Sequence, residues 1–101
     1  DAHKYLCKLF TMEFEYDPEK SCKNEEKHGI DFNRSQALWD DSGLLTLLSR
    51  YQEEPRYLAI GRIDGLHWTA VFTERGDRVR LISVRRSRQN ERNLYEQNQP
   101  A

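Results

Sequence analysis

Two tight turns constrain the middle of this chain more than any other feature. Three runs rich in β-branched and aromatic residues, Tyr57 to Ile63, His67 to Thr73 and Val79 to Val84, are joined through Asp64-Gly65 and Gly76-Asp77. Turns of this composition supply the positive φ that a hairpin needs. Parallel strands need a crossover of a dozen or more residues, so connections this short leave an antiparallel meander. Trp68, Ala70 and Phe72 then share one face. In the third run, strict alternation sets Arg78, Arg80, Ile82 and Val84 on one face and Val79, Leu81 and Ser83 on the other.

The flanking residues add helices. Glu13-Phe14-Glu15-Tyr16 alternates polar and apolar and reads as a short edge strand. Asp17 is placed to N-cap a helix with Pro18 in its first position, and Gly29 is a natural C-terminal stop. The stretch between them is almost wholly polar, so this helix buries no wide face. Lys20, Lys23 and Lys27 recur at i, i+3 and i+7 and make one stripe basic. Ile30 and Phe32 return to the core. Asp31 caps a second short helix through Trp39, with Phe32, Gln36 and Trp39 on one side, which Asp40-Asp41-Ser42-Gly43 ends.

Leu44 to Tyr51 has helical spacing. It is nevertheless short, lies between Gly43 and Pro55, and precedes three strands, so it is read as a fourth. Ser87 serves as N-cap of a last helix through Tyr95. The sum is an α+β domain, an antiparallel sheet of four to five strands with two N-terminal helices and one C-terminal helix, the helices on one face. Residues 1–11 have no period and read as an extension or tag, with Met12 the more natural start. Residues 12–97 form the domain, and residues 98–101 are expected to fray.

The net charge of -1 conceals an asymmetry. Residues 1–54 hold 12 acidic and 7 basic side chains, whereas residues 55–101 hold 9 basic and 5 acidic, and all nine are arginines. Arginine grips phosphate in a planar fork, where lysine acts as a point charge. The half therefore reads as a phosphate-binding surface or as a solvated one laced with ion pairs. Cys7 and Cys22 make no disulfide framework, which favours a reducing compartment. No apolar run approaches the roughly 20 residues of a membrane span. The first residues lack a signal-peptide core. The expectation is a cytoplasmic protein without membrane contact.

His3, His28 and His67 form no ligand-spaced pair with a carboxylate, and no phosphate-cradling glycine loop is present, so neither metal nor cofactor is expected. What remains is phosphodiester chemistry by charge and proton transfer. RNA carries its own nucleophile, the 2′-hydroxyl. A protein need only orient it, accept its proton, stabilise the added charge and protonate the leaving oxygen. Arg80 and Arg85 on one strand, Arg56 and Arg62 flanking another, and Lys27-His28 at a helix end are the candidates. A helix C-terminus favours a protonated histidine, which suits a general acid, although His28 equally serves as a C-cap. Lys20 and Lys23 read as a solvated face or as RNA contacts, and Arg56 as a site residue or the structural partner of Glu54 or Asp40. Trp39, Trp68 and Tyr95 are read as core, and His67 as a strand residue without a catalytic task.

The order of these residues resembles the BrnT toxins. Phe14-Glu15-Tyr16-Asp17-Pro18-Glu19-Lys20, Asn24, Lys27-His28-Gly29-Ile30 and Phe32 are similar to that family's opening, with Tyr16 where Trp is commoner. Glu54-Pro55-Arg56 to Ile60-Gly61, then Arg80-Leu81-Ile82-Ser83-Val84-Arg85-Arg86, then Glu91-Arg92 and Tyr95, are similar to its later segments. The resemblance implies a RelE-like fold and a metal-independent endoribonuclease that inhibits translation. It also implies a BrnA-like ribbon-helix-helix antitoxin through which alone the complex meets DNA. It marks Lys27, His28, Arg56, Arg80 and Arg85 as catalytic candidates and Glu54 as a proton acceptor. Lys20, Lys23, Arg62 and Arg86 are the residues expected along the RNA path. The alternative is a non-catalytic toxin-like module that binds the antitoxin and acts as operon corepressor.

Overall fold

The computed structural model of the chain describes residues 12–49 and 55–100. The expected extension 1–11, the end of the Leu44 to Tyr51 run and Glu54 lie outside the described residues. A five-stranded sheet runs in the order β1-β5-β4-β3-β2, with β1 Glu13–Glu15, β2 Leu45–Leu48, β3 Tyr57–Ile63, β4 Leu66–Arg75 and β5 Arg78–Arg86. The helices are α1 Pro18–His28, α2 Phe32–Ser35, continued by a 3₁₀ turn Gln36–Asp40, and α3 Gln89–Gln97. The whole is α+β.

The meander forms as the turns require. Asp64 and Gly65 take φ of 51° and 82°, positive at both central positions of the β3–β4 hairpin. α1 begins where Asp17 accepts from the Glu19 N–H at 2.9 Å and ends at Gly29, whose φ is 83°. It buries only Ser21 and Asn24, both polar. Ser21 Oγ accepts from the Phe32 N–H at 2.8 Å, and Asn24 donates to the Ile30 and Val84 carbonyls and accepts from the Val84 N–H. Hydrogen bonds, not an apolar stripe, hold this helix. Ile30, Phe32 and Leu38 pack on Ala59, Trp68, Ala70, Phe72, Val79, Leu81 and Val84 to make the core. Burial of these side chains supplies most of the driving force. Gly61 permits the close approach: a Cβ there would stand 3.0 Å from both Leu38 Cδ2 and Leu44 Cδ1.

Six details depart from the sequence reading. β1 joins β5 in parallel, Glu13 beside Arg78 and Glu15 beside Arg80, because everything between them serves as the crossover. The second helix tightens to 3₁₀ at Gln36, as short helix ends often do. The alternation of β5 is broken: Val71 pairs with Ser83 and Phe72 with Leu81, which leaves Ile82 as an extra, bulged residue. Val84 therefore joins Val79 and Leu81 in the core, and Arg85 falls on Arg80's side. α3 does not share a face with the other helices. Its Glu91 reaches Thr69, whose neighbours Trp68 and Ala70 point into the core on the opposite side. Its N-cap is Arg88, not Ser87; the Ser87 hydroxyl meets Thr69 instead, at 2.7 Å. Beyond α3, Gln99 donates to the Gly43 and Tyr95 carbonyls and pins the tail that the sequence leaves loose.

Candidate nucleic-acid interface

The face of the sheet away from α1 and α2 collects the arginines. Arg80 pairs with Thr73 and Arg85 with Thr69, so the two point to the same side and stand four residues of β4 apart, about 13 Å. Arg62 pairs with His67, again on that side. Continuing the Tyr57–Phe72 register by one step brings Arg56 level with Thr73, whose hydroxyl donates to the adjacent Pro55 carbonyl at 2.9 Å. Between these basic ends runs a half-buried band of Leu47, Leu58, Val71 and Ser83, adjacent in register across four strands. The surface is apolar in the middle and cationic at its ends.

The arginines are held differently. Arg80 donates to Glu15 Oε2 at 2.9 Å, and its side chain keeps 33% exposure. Arg78 bridges both β1 carboxylates, at 3.0 Å to Glu13 and 3.8 Å to Glu15. Arg85 forks onto Glu91 at 2.8 and 2.9 Å, where the carboxylate is only 7% exposed. Glu91 also accepts from the Arg88 N–H and the Thr69 hydroxyl. Burial pushes the Glu91 carboxyl up, but the Arg85 fork and the other two donors outweigh it and hold the group at about 2. The same pair raises the Arg85 guanidinium above its ordinary value. Arg85 thus fastens α3 across the sheet.

Arg86 lies on the core side, opposite Trp68, with its guanidinium 5.5 Å above the indole ring and Nε donating to the His67 carbonyl. It is therefore separated from Arg80 and Arg85. Lys20, Lys23 and Lys27 are exposed and His28 is half-buried. Asn24 ties α1 to β5 at Val84, and His28 is one helical turn beyond that tie, about 6 Å along the axis. Among the described residues neither Lys27 nor His28 bonds to an arginine of the open face.

Arg62 borders a cleft of about 400 Å³ lined by Asp40, Asp41, Asp64 and Tyr95, where the β3 edge extends past the end of β2. Asp41 closes that edge, accepting from the Arg62 N–H at 2.8 Å, the Gly43 N–H at 2.8 Å and the Tyr95 hydroxyl at 2.7 Å. Burial raises Asp41, yet these donors win and its carboxyl lies below the usual range. Burial and the Asp41 charge push Tyr95 up to about 12.

Sequence reasoning did not single out Glu15, Thr73 or Glu91 as partners of this surface. Glu91 carries a legible signal, since a carboxylate at the third helical position reaches back to the N-cap N–H, as it does here at 2.8 Å. Glu15 carries none, because its neighbour Arg80 is 65 residues away.

The family described as the ribonuclease toxin, BrnT, of type II toxin-antitoxin systems matches residues 16–91, three quarters of the chain. No curated protein matches it. The matched span runs from the edge of β1 to Glu91 and takes in α1, the meander, the bulge and the Arg85–Glu91 clamp. With RNA as the substrate class and an antitoxin as the partner that the system supplies, this chain belongs to the BrnT family of ribonuclease toxins.

Proposed function

We propose that the open sheet face holds an RNA phosphate while the RNA's own 2′-hydroxyl cleaves the chain, without metal. The observation that carries this reading is Arg80, fixed by Glu15 on a rigid strand, a third exposed, and level with Thr73 and Arg56. A guanidinium so placed offers two donors to a pentacoordinate phosphorane, where its charge matters most. The 2′-oxygen attacks phosphorus and gives its proton to a base, for which Glu54 is the candidate. The 5′-oxygen leaves with a proton from an acid, for which Lys27 and His28 are the candidates, reaching round the β5 edge to which Asn24 ties their helix at Val84. The products are a 2′,3′-cyclic phosphate and a 5′-hydroxyl. Arg56 and Arg62 extend the cationic track, with Lys20, Lys23 and Arg86 contributing charge to RNA outside the face.

In the cell, this reaction depletes message and stops translation in the cytoplasm. A BrnA-like ribbon-helix-helix antitoxin covers the site and carries the complex to DNA. The test is a cleavage assay on labelled RNA in the presence of a chelator, with a cell-free translation reaction alongside. Wild type should cut and suppress product, and Arg80→Ala should do neither. Intact RNA and full product with folded wild type would remove the catalytic reading. A non-catalytic module acting as antitoxin partner and corepressor is the second reading. It draws support from Arg80 and Arg85 both being countered by carboxylates within the chain, and it predicts antitoxin binding without growth arrest.

A further inference from the structure

Among the described residues β2 is a free edge of the sheet, on the side remote from β1. The Ser49 N–H donates to the Arg56 carbonyl at 2.7 Å. Alternation then turns the backbone groups of Leu45 and Leu47 towards β3 and those of Thr46 and Leu48 outwards. Protein sheets usually guard such edges with charge, proline or a bulge. β1 obeys, with Glu13 and Glu15. β2 does not: Leu44 to Leu48 holds no charge and no proline, and its pairing with β3 is regular. Leu48 is 68% exposed, more than any other large apolar side chain among the described residues.

The five residues Leu44-Leu45-Thr46-Leu47-Leu48 read the same in both directions. We propose that two copies of this chain pair antiparallel along β2, about a two-fold axis at Thr46, to give one continuous sheet. A two-fold contact uses the same patch on both copies. Thr46 meets its own counterpart, Leu45 meets Leu47 and Leu44 meets Leu48, so each leucine faces a leucine. The N–H and C=O of Thr46 bond to their counterparts, and the Leu48 N–H donates to the Leu44 carbonyl across the axis. The Leu44 N–H is already taken by the Asp41 carbonyl, at 3.0 Å. A single strand pair buries less than a standard interface, so the association depends on concentration. It does not rest on the ribonuclease reading.

Sedimentation of the full chain from about 1 μM to about 1 mM tests it. The mean mass should climb from the 12.1 kDa of one chain towards twice that value. Leu48→Lys, at an exposed site where circular dichroism should remain that of wild type, should stay monomeric. With Cys7→Ser and Cys22→Ser in the background, Thr46→Cys should oxidise to a covalent dimer, since facing residues lie about 5.5 Å apart at Cα. Leu48→Cys should not, because the two copies of that residue stand about 13 Å apart along the strands. A monomer at every concentration overturns the proposal. So does a Leu48→Lys protein that dimerises like wild type, or cross-linking at position 48 without cross-linking at 46.

Discussion

Arg80 and Arg85 have the same chemistry on the same strand, and their partners separate them. Arg85 gives both of its terminal nitrogens to a carboxylate that is almost out of water. Removing it strands Glu91 without its counter-ion, so Arg85→Ala should cost about 2–4 kcal/mol in denaturant unfolding. Arg80→Ala removes a part-exposed ion pair with Glu15 and should cost under about 1 kcal/mol, while RNA cleavage falls by about 100-fold or more. Equal losses of stability in the two variants would contradict this division. Glu91 also sets the acid limit. Its carboxyl is held at about 2 against an ordinary 4.5, so its stabilisation is complete above about pH 5 and drains away as pH falls from there towards 2. The group should contribute roughly 2–3 kcal/mol at neutral pH. Urea midpoints measured between pH 7 and 3 should fall in wild type and flatten in Glu91→Gln. At Gly61, the contacts of an added Cβ with Leu38 and Leu44 leave little room. Gly61→Ala should therefore lower stability by about 1–3 kcal/mol, read from the same midpoints.

At the scale of elements, the sequence was most legible where local chemistry decides. Asp64-Gly65 and Gly76-Asp77 demanded hairpins, and Asp17, Pro18 and Gly29 bracketed α1 at both ends. The leucine run was settled as a strand by its neighbours, not by its own spacing. The rest depended on distant partners. Nothing in Arg80-Leu81-Ile82-Ser83 announces a bulge, since no glycine marks it, and only the register with β4 reveals Ile82 as supernumerary. The parallel seating of β1 and the crossing of α3 to the far face likewise depend on pairs 65 and 22 residues apart. The candidate site was half legible for the same reason. Its arginines were found from composition and strand placement. The difference between a part-exposed Arg80 paired with Glu15 and an Arg85 forked onto a buried Glu91 was hidden until the carboxylates had positions.

Across the whole molecule, short edge strands leave parts of their neighbours uncovered, and single polar side chains close the gaps. Asn24 serves β5 at Val84, and Asp41 serves β3 at Arg62. On the proposed reading, the near-neutral total charge and the arginine-rich C-terminal half favour RNA binding through a local track over steering by the overall field. Binding should weaken with salt, and the logarithmic slope should fall by about 1 for each contacting arginine removed, Arg56 and Arg62 included. Fluorescence anisotropy with a labelled RNA, over a series of salt concentrations, measures that slope. A slope unchanged in Arg62→Ala would take that residue off the track.

The extra residue at position 82 has a consequence for how this protein tolerates change. Its identity matters little beyond filling a half-buried place, so exchanges such as Ile82→Val should pass nearly unnoticed. Its removal should be absorbed nearly as well: Leu81 still meets Phe72 and Ser83 still meets Val71, so plain alternation keeps Val84 inside and Arg85 on the open face, and only the local kink is lost. Removing Ser83 as well would swing Val84 to Arg86 through half a turn, driving the Arg85 guanidinium inwards and the Val84 methyls out. This segment should accept a shortening by one residue but not by two.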